Sequence, residues 1–239
     1  MCTVSWLGRT DGYEVFFNRD ELVTRGPEFP PEIGGGPNLR WIAPVDSDHL
    51  GTWIGVNDWG RAFGLLNRLR EAPRDDPSDF TSRGALVLSL LGLHPERDIE
   101  SILSPARLRQ FRPFLVAAFR PDADPTTWEW DGAQLLRQTV ATAGLVTTSS
   151  GYDQLGAEVA REELFRSAGS PEAFEAIHRS HLPTRGALSV CMHRADASTV
   201  SYTRISVNAG GVRLRHTPGP PCETSEMIER SLPRRRPSR

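Results

Sequence analysis

Short runs of apolar, β-branched and aromatic residues alternate with turn-forming residues through the first third of the chain. Thr3–Leu7 and Tyr13–Phe17 flank a turn that contains two glycines, which predicts a β-hairpin. Thr52–Val56 and Ala62–Leu66 flank an Asn-Asp-Trp-Gly turn and predict a second hairpin. A glycine interrupts each of these later strands, which indicates that another part of the molecule or a ligand lies close to the backbone there.

Two polar stretches interrupt this pattern. Arg25–Asn38 contains four prolines and a glycine triplet, so we expect an irregular loop, followed by a short strand at Leu39–Ala43. Pro73–Asp79 is charged and contains two prolines, which predicts a solvated loop. Specificity for a substrate would depend on loops of this kind.

The rest of the chain predicts helices and strands in alternating groups. The expected helices are Gly84–Leu91, Glu96–Leu103, Leu155–Phe165 and Pro171–Ser180. The expected strands are Phe114–Phe119, Thr127–Trp130, Leu135–Val140, Gly144–Gly151, Ser189–His193, Thr199–Val207 and Val212–His216. The prolines that follow residue 217 predict irregular chain.

The order of these elements decides the expected fold class, which is α+β. Strands that are adjacent in sequence pair antiparallel, and two helix pairs inserted between strand groups can cover the outer faces of two stacked sheets. We therefore predict a four-layer α/β/β/α sandwich of two antiparallel sheets. A single sheet with helices on one face is the simpler alternative.

Composition limits the classes of function. With 239 residues, 38% of them hydrophobic, we expect one domain over residues 1–222 and a partly disordered tail over residues 223–239. The net charge of -2 and the scattered basic residues predict no nucleic-acid partner, and no apolar run is long enough for stable membrane insertion. Three cysteines without a disulfide or metal-knuckle spacing suit a reducing compartment, so we expect a cytoplasmic protein. The oligomeric state stays open.

Cys2 is the candidate nucleophile. Removal of Met1 would leave Cys2 as the N-terminus, with a thiol and an α-amine on one residue, and the amine can then serve as the general base for the thiol. Residues opposite each other in the first hairpin have index sums of about 20, which places Asn18 across from Cys2 and brings Arg19 and Asp20 beside it. We expect the side chain of Arg19 or of Asp20 to reach Cys2. A buried, unreactive cysteine that braces the hairpin is the structural alternative.

No metal site is predicted. His178 and His181 share one helix face and are expected at the surface, and Cys191-Met192-His193 is expected to pack in the core. The chain contains no His-Glu-x-x-His pattern and no Gly-x-Ser-x-Gly elbow.

Several sequence blocks together resemble the NRDE family, the family of Transport and Golgi organization protein 2. The blocks are Met1-Cys2-Thr3, Phe17-Asn18-Arg19-Asp20-Glu21, Gly51 to Asn57, Leu65-Leu66-Asn67-Arg68, Thr81-Ser82-Arg83-Gly84 and Cys191-Met192-His193-Arg194. The resemblance covers residues 1 to about 222. It implies handling of haem or of acyl-coenzyme A lipids, so a non-catalytic carrier of haem or acyl lipid is one expected function.

Cys2, the segment Gly55 to Gly60 and Asn67 are more distantly similar to N-terminal-nucleophile hydrolases of the choloylglycine hydrolase and penicillin acylase type. This similarity implies the four-layer fold and an amide hydrolase that acts on a carbon–nitrogen bond of a small acylated molecule and requires no cofactor. It implies that Cys2 attacks the carbonyl carbon, that Arg19 and Asp20 position Cys2, and that Asn67 binds the oxyanion.

The similarity is incomplete at three places. Arg19 and Asp20 are adjacent, whereas that group of hydrolases spaces its arginine and aspartate three apart. A second asparagine expected in Gly144–Gly151 is replaced by Thr148-Ser149, and the late arginine is either Arg185 or Arg194. The candidate substrate-binding residues are Asn18, Arg68, Ser149 and Arg194.

Overall fold

The structure of the protein, a computed structural model, describes residues 2–68, 80–94, 99–140, 143–149 and 153–236. The helices are α1 (Gly84–Leu91), α2 (Pro105–Leu108), α3 (Gln154–Arg166) and α4 (Pro171–Arg179). The strands are β1 (Cys2–Arg9), β2 (Gly12–Leu22), β3 (Glu28–Gly36), β4 (Leu39–Asp46), β5 (Ile54–Asn57), β6 (Ala62–Asn67), β7 (Phe114–Arg120), β8 (Ala123–Trp130), β9 (Leu135–Thr139), β10 (Gly144–Ser149), β11 (Ala197–Asn208), β12 (Gly211–Thr217) and β13 (Ile228–Leu232).

The strands form two sheets. The first sheet has six strands in the order β10-β1-β2-β11-β12-β13, and the second has seven in the order β3-β4-β5-β6-β7-β8-β9. Every neighbouring pair is antiparallel. The second sheet follows chain order, whereas β2 and β11 of the first sheet come from opposite ends of the chain.

Three apolar cores separate the layers. The central core contains Val4, Val15 and Phe17 of the first sheet and Val56 and Leu66 of the second. A second core lies under α1, where Leu86 and Leu90 pack with Phe63 and Val116. A third core lies under α3 and α4, where Phe165 and Phe174 pack with Phe16. Alternate residues of each sheet thus face different cores, and the predicted four-layer α/β/β/α sandwich is confirmed.

The opening hairpin has the predicted pairing with a shift of one residue. Cys2 lies opposite Arg19, and Thr3 lies opposite Asn18. Cys2 also lies opposite Ser149 of β10, so the start of β1 is held between two strands. The strands of the second predicted hairpin contain Gly55 and Gly64, and both glycines lie against neighbouring layers. A Cβ atom at Gly64 would touch the Phe17 ring, and one at Gly55 would collide with Leu91 of α1.

The prediction of an irregular loop over residues 25–38 is wrong. Residues 28–36 form β3 despite two consecutive prolines, and β4 continues past Pro44 to Asp46. β3 is the edge strand of its sheet, where a missing N–H does not interrupt a ladder, and its register with β4 shifts between Phe29 and Glu32.

Three further predictions differ from the structure. The regular structure in the described part of the predicted helix 96–103 is a 3₁₀ turn at Ile99–Ser101, and helix α2 begins beyond that segment, at Pro105. Residues 189–193 form no strand beyond one isolated bridge between His193 and Ser198. Residues 228–232 lie in the tail that is expected to be partly disordered, and they form β13, which extends the first sheet beyond residue 222. The predicted loop 73–79 lies outside the described residues.

In the described ranges, no helix has the length and apolar character needed to cross a membrane.

Candidate active site

A cavity of about 470 Å³ opens between the start of β1, the end of β2, strand β6 and the start of α1. Its wall from the first sheet includes Cys2, Arg19 and Asp20, and its wall from the second sheet includes Trp53, just before β5, and Asn67. Its remaining lining residues lie in β2, β4 and β6, in the β2–β3 and β4–β5 connections, at or just before the start of α1, and just before β7, namely Glu21, Leu22, Arg25, Asp46, His49, Gly51, Thr52, Leu65, Phe80, Thr81, Ser82, Arg83, Gly84 and Arg112. The candidate nucleophile therefore faces a space large enough for a small molecule.

The Cys2 thiol is buried and weakly acidic. Only 7% of the residue is exposed, and this burial raises the pKa of the thiol to about 11, with the negative charge of Asp20 acting in the same direction. A hydrogen bond from the Asp20 backbone N–H to the sulfur opposes the shift. At neutral pH this environment keeps the thiol protonated, so Cys2 needs a base before it can attack a carbonyl group.

A network of buried polar groups fixes the backbone of Cys2. The Thr148 hydroxyl donates to the Cys2 carbonyl oxygen at 3.0 Å and lies 3.0 Å from the Thr3 hydroxyl. Arg161, which projects from α3, donates through Nη1 to both threonine hydroxyls, and through Nη2 to the Ser189 carbonyl at 2.7 Å. Thr148 replaces the expected asparagine, and its hydroxyl is used to hold Cys2.

Asp20 is a buried carboxylate beside Cys2 and is one of the two residues predicted to position it. It is almost fully buried, accepts a hydrogen bond from the Thr199 hydroxyl at 2.6 Å and lies 4.0 Å from the Arg161 guanidinium. Burial raises its pKa above the usual range for aspartate, and the charge of Arg161 opposes this shift. The arginine–aspartate pair at the site is therefore Arg161 with Asp20, from two distant parts of the sequence.

Arg19 lines the cavity, and two carboxylates of the protein neutralise its charge. Its guanidinium binds Asp46 at 2.6 Å and Glu28 at 3.1 Å, and it stacks on the Trp53 ring at 4.0 Å. Glu28 continues the chain of contacts to His216 at 2.6 Å. Arg19 therefore ties the two sheets together beside Cys2, and its charge is balanced without a ligand.

Asn67 occupies the end of β6, half-buried, on the cavity wall. Among the residues that the structure describes, its side-chain amide has no hydrogen-bond partner. The neighbouring residue Arg68 turns away from the cavity, to the Thr148 carbonyl and to Glu129. Asn67 thus offers an N–H donor to whatever enters the cavity.

Two arginines form a cationic part of the wall near the start of α1. Arg83 donates to the Pro113 carbonyl at 2.9 Å, and Arg112 lies over the Phe80 ring. Burial, and then the positive charge of Arg112, lower the pKa of Arg83 to about 10. Across the described ranges Arg83 has no carboxylate within ion-pairing distance. Its position is set by close backbone packing, because a Cβ atom at Gly51 would collide with Gly84.

Several predicted site residues lie elsewhere. Asn18 is fully buried, donates to the carbonyls of His178 and Val190, and accepts from the His178 ring, so it is a structural residue. Arg194 pairs with Asp196 and does not line the cavity. Arg185, the other candidate for the late arginine, pairs with Glu223. Arg68 bridges β6 to β10. Ser149 lies opposite Cys2, but its side chain is outside the described part of the structure.

Arg161 is not identified from the sequence, because the apolar residues Leu155 and Val159 indicate a buried face that differs from the face buried in the structure. Leu155 and Val159 are 70% and 61% exposed, whereas Ala157, Arg161 and Phe165 face the core at i, i+4 spacing. An arginine inside a stripe of small and aromatic residues is the signal that could have identified it. His178 was also misplaced, because it is fully buried and its Nε2 lies 2.7 Å from the Ser5 hydroxyl.

Two groups of potential metal ligands occur in the described ranges. Asp46, Asp48 and His49 lie at the cavity mouth, but Arg19 and Arg25 already bind these carboxylates. The second group, His181, Cys191, His193 and Cys222, lies outside the cavity.

Comparison with known proteins places this site in a family. Residues 1–138 match the family described as Transport and Golgi organisation 2. The chain belongs to the Transport and Golgi organisation 2 family. A search of curated protein sequences finds no match. The family match spans the whole of the opening hairpin, Asn67 and Arg83, and thus most of the cavity wall.

Solved structures similar to this family member are N-terminal-nucleophile hydrolases. Penicillin V acylase from Agrobacterium tumefaciens is 13% identical with a TM-score of 0.55, covering 91% of this chain and 83% of that one. A mutant of conjugated bile acid hydrolase from Clostridium perfringens is 12% identical with a TM-score of 0.51, covering 97% and 92%. The Caenorhabditis elegans N-acylethanolamine-hydrolyzing acid amidase orthologue is 12% identical with a TM-score of 0.55, covering 86% and 92%. At these identities the similarity establishes the N-terminal-nucleophile-hydrolase-like fold.

Proposed function

We propose that this protein is an N-terminal-cysteine amide hydrolase that cleaves a carbon–nitrogen bond of a small acylated molecule in the cytoplasm. The observation that carries the proposal is the placement of Cys2, at the start of β1, on the wall of a cavity that also contains the unpaired amide of Asn67. A reducing compartment suits its three free cysteines.

The first half of the reaction forms a thioester. Once Met1 has been removed, the α-amine of Cys2 takes the thiol proton and the sulfur attacks the carbonyl carbon of the substrate. The amide of Asn67 donates to the oxyanion that develops. The carbon–nitrogen bond then breaks, and the α-ammonium group returns its proton to the departing amine.

The second half releases the acid. A water molecule gives a proton to the α-amine and attacks the thioester carbonyl, the carbon–sulfur bond breaks, and the sulfur recovers the proton. In this scheme Asp20 and Arg161 are positioning residues. Asp20 holds the charged amine, and Arg161 opposes the rise in the pKa of Asp20 and fixes Cys2 through Thr3 and Thr148.

The cationic part of the cavity wall favours a substrate that carries an anionic group. Arg83 lacks a carboxylate partner in the described structure, and a lowered guanidinium pKa means that its charge is poorly solvated. A carboxylate or phosphate group on the substrate would restore the missing counter-charge. The favoured substrate is therefore an acylated amine that carries an anionic group.

The test of the proposal uses the free amine of Cys2. Intact mass should show that Met1 is absent, and a variant that keeps one extra residue before Cys2 should lose both turnover and rapid alkylation at neutral pH. A thiol with a pKa of about 11 has only about 10⁻⁴ of its population as thiolate at pH 7, so alkylation of the extended variant should rise about tenfold per pH unit. Active protein that retains Met1, or equal alkylation rates for both forms, would contradict the mechanism.

A non-catalytic carrier of haem or acyl lipid is the second candidate function. One observation favours haem, because Cys2 and His49, two side-chain types that ligate haem iron, line the same cavity. Optical titration with haem separates the candidates. A carrier should show a saturable spectral change that Cys2→Ala or His49→Ala weakens, whereas the hydrolase should show none and should lose turnover in Cys2→Ala.

A further inference from the structure

Four soft or borderline metal ligands converge outside the residues that line the cavity, in the segment after α4 and the segment between β12 and β13. They are His181, Cys191, His193 and Cys222, and one ligand atom of each lies within 4.8 Å of one atom of every other. The sulfur of Cys191 is 3.6 Å from His193 Nε2, which is 3.3 Å from the sulfur of Cys222. The rings of His181 and His193 meet edge to face with their centroids 5.0 Å apart.

These distances match the edges of a tetrahedron around a metal ion. Zinc bonds of about 2.3 Å to sulfur and about 2.0 Å to nitrogen give tetrahedral ligand-to-ligand edges between about 3.3 Å and 3.8 Å. The distances from His193 Nε2 to the sulfurs of Cys191 and Cys222, 3.6 Å and 3.3 Å, fall in that range. The ligand atoms of the remaining pairs lie within 4.8 Å of each other, so the tetrahedral edges require shifts of at most about 1.5 Å.

A second observation also indicates a missing ligand. His181 Nε2 is buried and has no hydrogen-bond partner in the described structure. A buried ring nitrogen without a partner is unfavourable, and a metal ion at the centre of the group would satisfy it. Cys191 is fully buried, and Cys222 is half-buried, so neither thiol is arranged as an exposed reactive group.

We propose that His181, Cys191, His193 and Cys222 form a tetrahedral zinc site. Two thiolates and two imidazoles in a tetrahedral arrangement favour Zn²⁺ over harder cations. On binding, both thiols lose their protons to solvent, and the ring proton of His193 moves to Nδ1. Arg185, which lies 3.3 Å from that nitrogen, then keeps only its contact with Glu223.

Four protein ligands leave no open position, so the metal is structural. It joins the segment after α4 to the segment between β12 and β13, neither of which forms regular structure at the ligands. Hydrogen bonds also connect this group to Asp20, which lies beside the candidate nucleophile. Between two ligands, the Met192 N–H donates to the Thr199 hydroxyl, which donates to Asp20. Zinc would therefore keep Thr199 in the position that holds the Asp20 carboxylate.

The test uses the full chain, purified with reduced thiols, stripped by a chelator and then titrated with Zn²⁺ or Co²⁺ alone. We expect one metal ion per chain and, with Co²⁺, the intense visible bands of a tetrahedral ion together with thiolate charge transfer. Cys222→Ser should lower the affinity by at least about tenfold and halve the charge-transfer intensity. Cys2→Ser, which removes the cysteine outside the group, is the matched control and should leave the cobalt spectrum unchanged.

Thermal unfolding provides a readout that is independent of activity. Zinc should raise the unfolding midpoint of the wild-type chain and of Cys2→Ser, but not that of Cys222→Ser. His181→Asn should behave like Cys222→Ser, which covers the case in which one variant fails to fold. The proposal would be overturned by a six-coordinate cobalt spectrum, by equal affinity in Cys222→Ser and wild type, or by a Cys191–Cys222 disulfide that persists in place of the metal.

Discussion

The two walls of the cavity differ in how their polar groups are paired. Behind the wall of the first sheet, Arg161 of α3 binds Thr3, Thr148 and the Ser189 carbonyl and lies beside the lining residue Asp20. On the other wall, Asn67 has no side-chain partner and Arg83 has no counter-ion among the described residues. Buried groups that are paired fix geometry, whereas groups left unpaired at a cavity are available to a ligand.

This difference assigns separate tasks to the two walls. In the proposed hydrolase, the first wall positions the nucleophile, so a change there should alter folding as well as chemistry. The second wall of the proposed hydrolase binds the reacting group and the rest of the substrate, so a change there should alter chemistry and leave folding nearly intact.

The largest effect is expected for Arg161→Met. Arg161 is 1% exposed, and its loss removes the guanidinium beside the buried Asp20 carboxylate together with the donor to Thr3 and Thr148. Breaking a buried ion pair in this way typically costs about 3–5 kcal/mol of unfolding free energy. Urea denaturation of wild type and variant measures the difference.

The matched control is Arg166→Met on the same helix. Arg166 is exposed and pairs only with the neighbouring surface residues Glu162 and Glu163, so its loss should change stability by less than about 0.5 kcal/mol. Equal losses for the two variants would show that the network around Cys2 is not what stabilises this wall.

A comparison of two asparagines tests the division directly. Asn67→Ala should reduce turnover by about 10²–10³, the usual effect of removing one oxyanion donor, and should leave the urea midpoint nearly unchanged. Asn18→Ala should do the opposite, because it leaves two buried carbonyls and the His178 ring without their partner. A large loss of stability in Asn67→Ala with unchanged turnover would assign Asn67 a structural role.

The sequence predicted best where local pattern alone decides structure. α1 has the predicted bounds, Gly84 to Leu91, because its residues are apolar on nearly every face. β3 was missed, because whether Pro30 and Pro31 are tolerated depends on their lying at a sheet edge. That position is a property of the assembled sheet and cannot be deduced from the segment.

The same reason explains which site residues could be identified from the sequence and which could not. Cys2 and Asn67 could be identified from short motifs, and both line the cavity. Arg161 could not, because its function depends on Asp20, Thr3 and Thr148, which only the fold brings together. Asn18 lies within a block that resembles the family, but the hairpin register pairs it with Thr3 and not with Cys2. Its amide therefore points into the core under α4 instead of the cavity.

A smaller effect, confined to binding, is expected for Arg83→Gln. Substrates that carry a carboxylate or phosphate should show a KM about 10- to 100-fold higher, since one charge-assisted contact is worth about 1.5–3 kcal/mol. Neutral acyl amides should be hydrolysed at an unchanged rate. The control is Arg109→Gln, an exposed arginine that does not line the cavity, which changes the net charge equally. An equal rise in KM for neutral and anionic substrates would remove the proposed charge preference.

The smallest effect is expected in the pH dependence of stability, through the buried residue His178. Its ring is paired with Ser5 and Asn18 of the first sheet. Burial, with a contribution from the charge of Arg161, lowers its pKa to about 3, whereas an unfolded histidine titrates near 6.5. Between these values the unfolded chain binds a proton that the folded chain does not, so stability is complete above about pH 6.5 and falls as the pH decreases.

The expected loss from this histidine is about 1.4 kcal/mol between pH 7.5 and pH 5.5, measured from urea midpoints at each pH. His178→Gln should remove this part of the pH dependence, whereas His49→Gln, at the half-exposed cavity mouth, should keep it. If His178→Gln is too unstable to fold, the same protonation can be followed in the wild-type chain through the NMR shifts of the His178 ring. A ring that takes up a proton in the folded protein near pH 6 would show that the paired wall admits charge and solvent, and would weaken the contrast between the two walls.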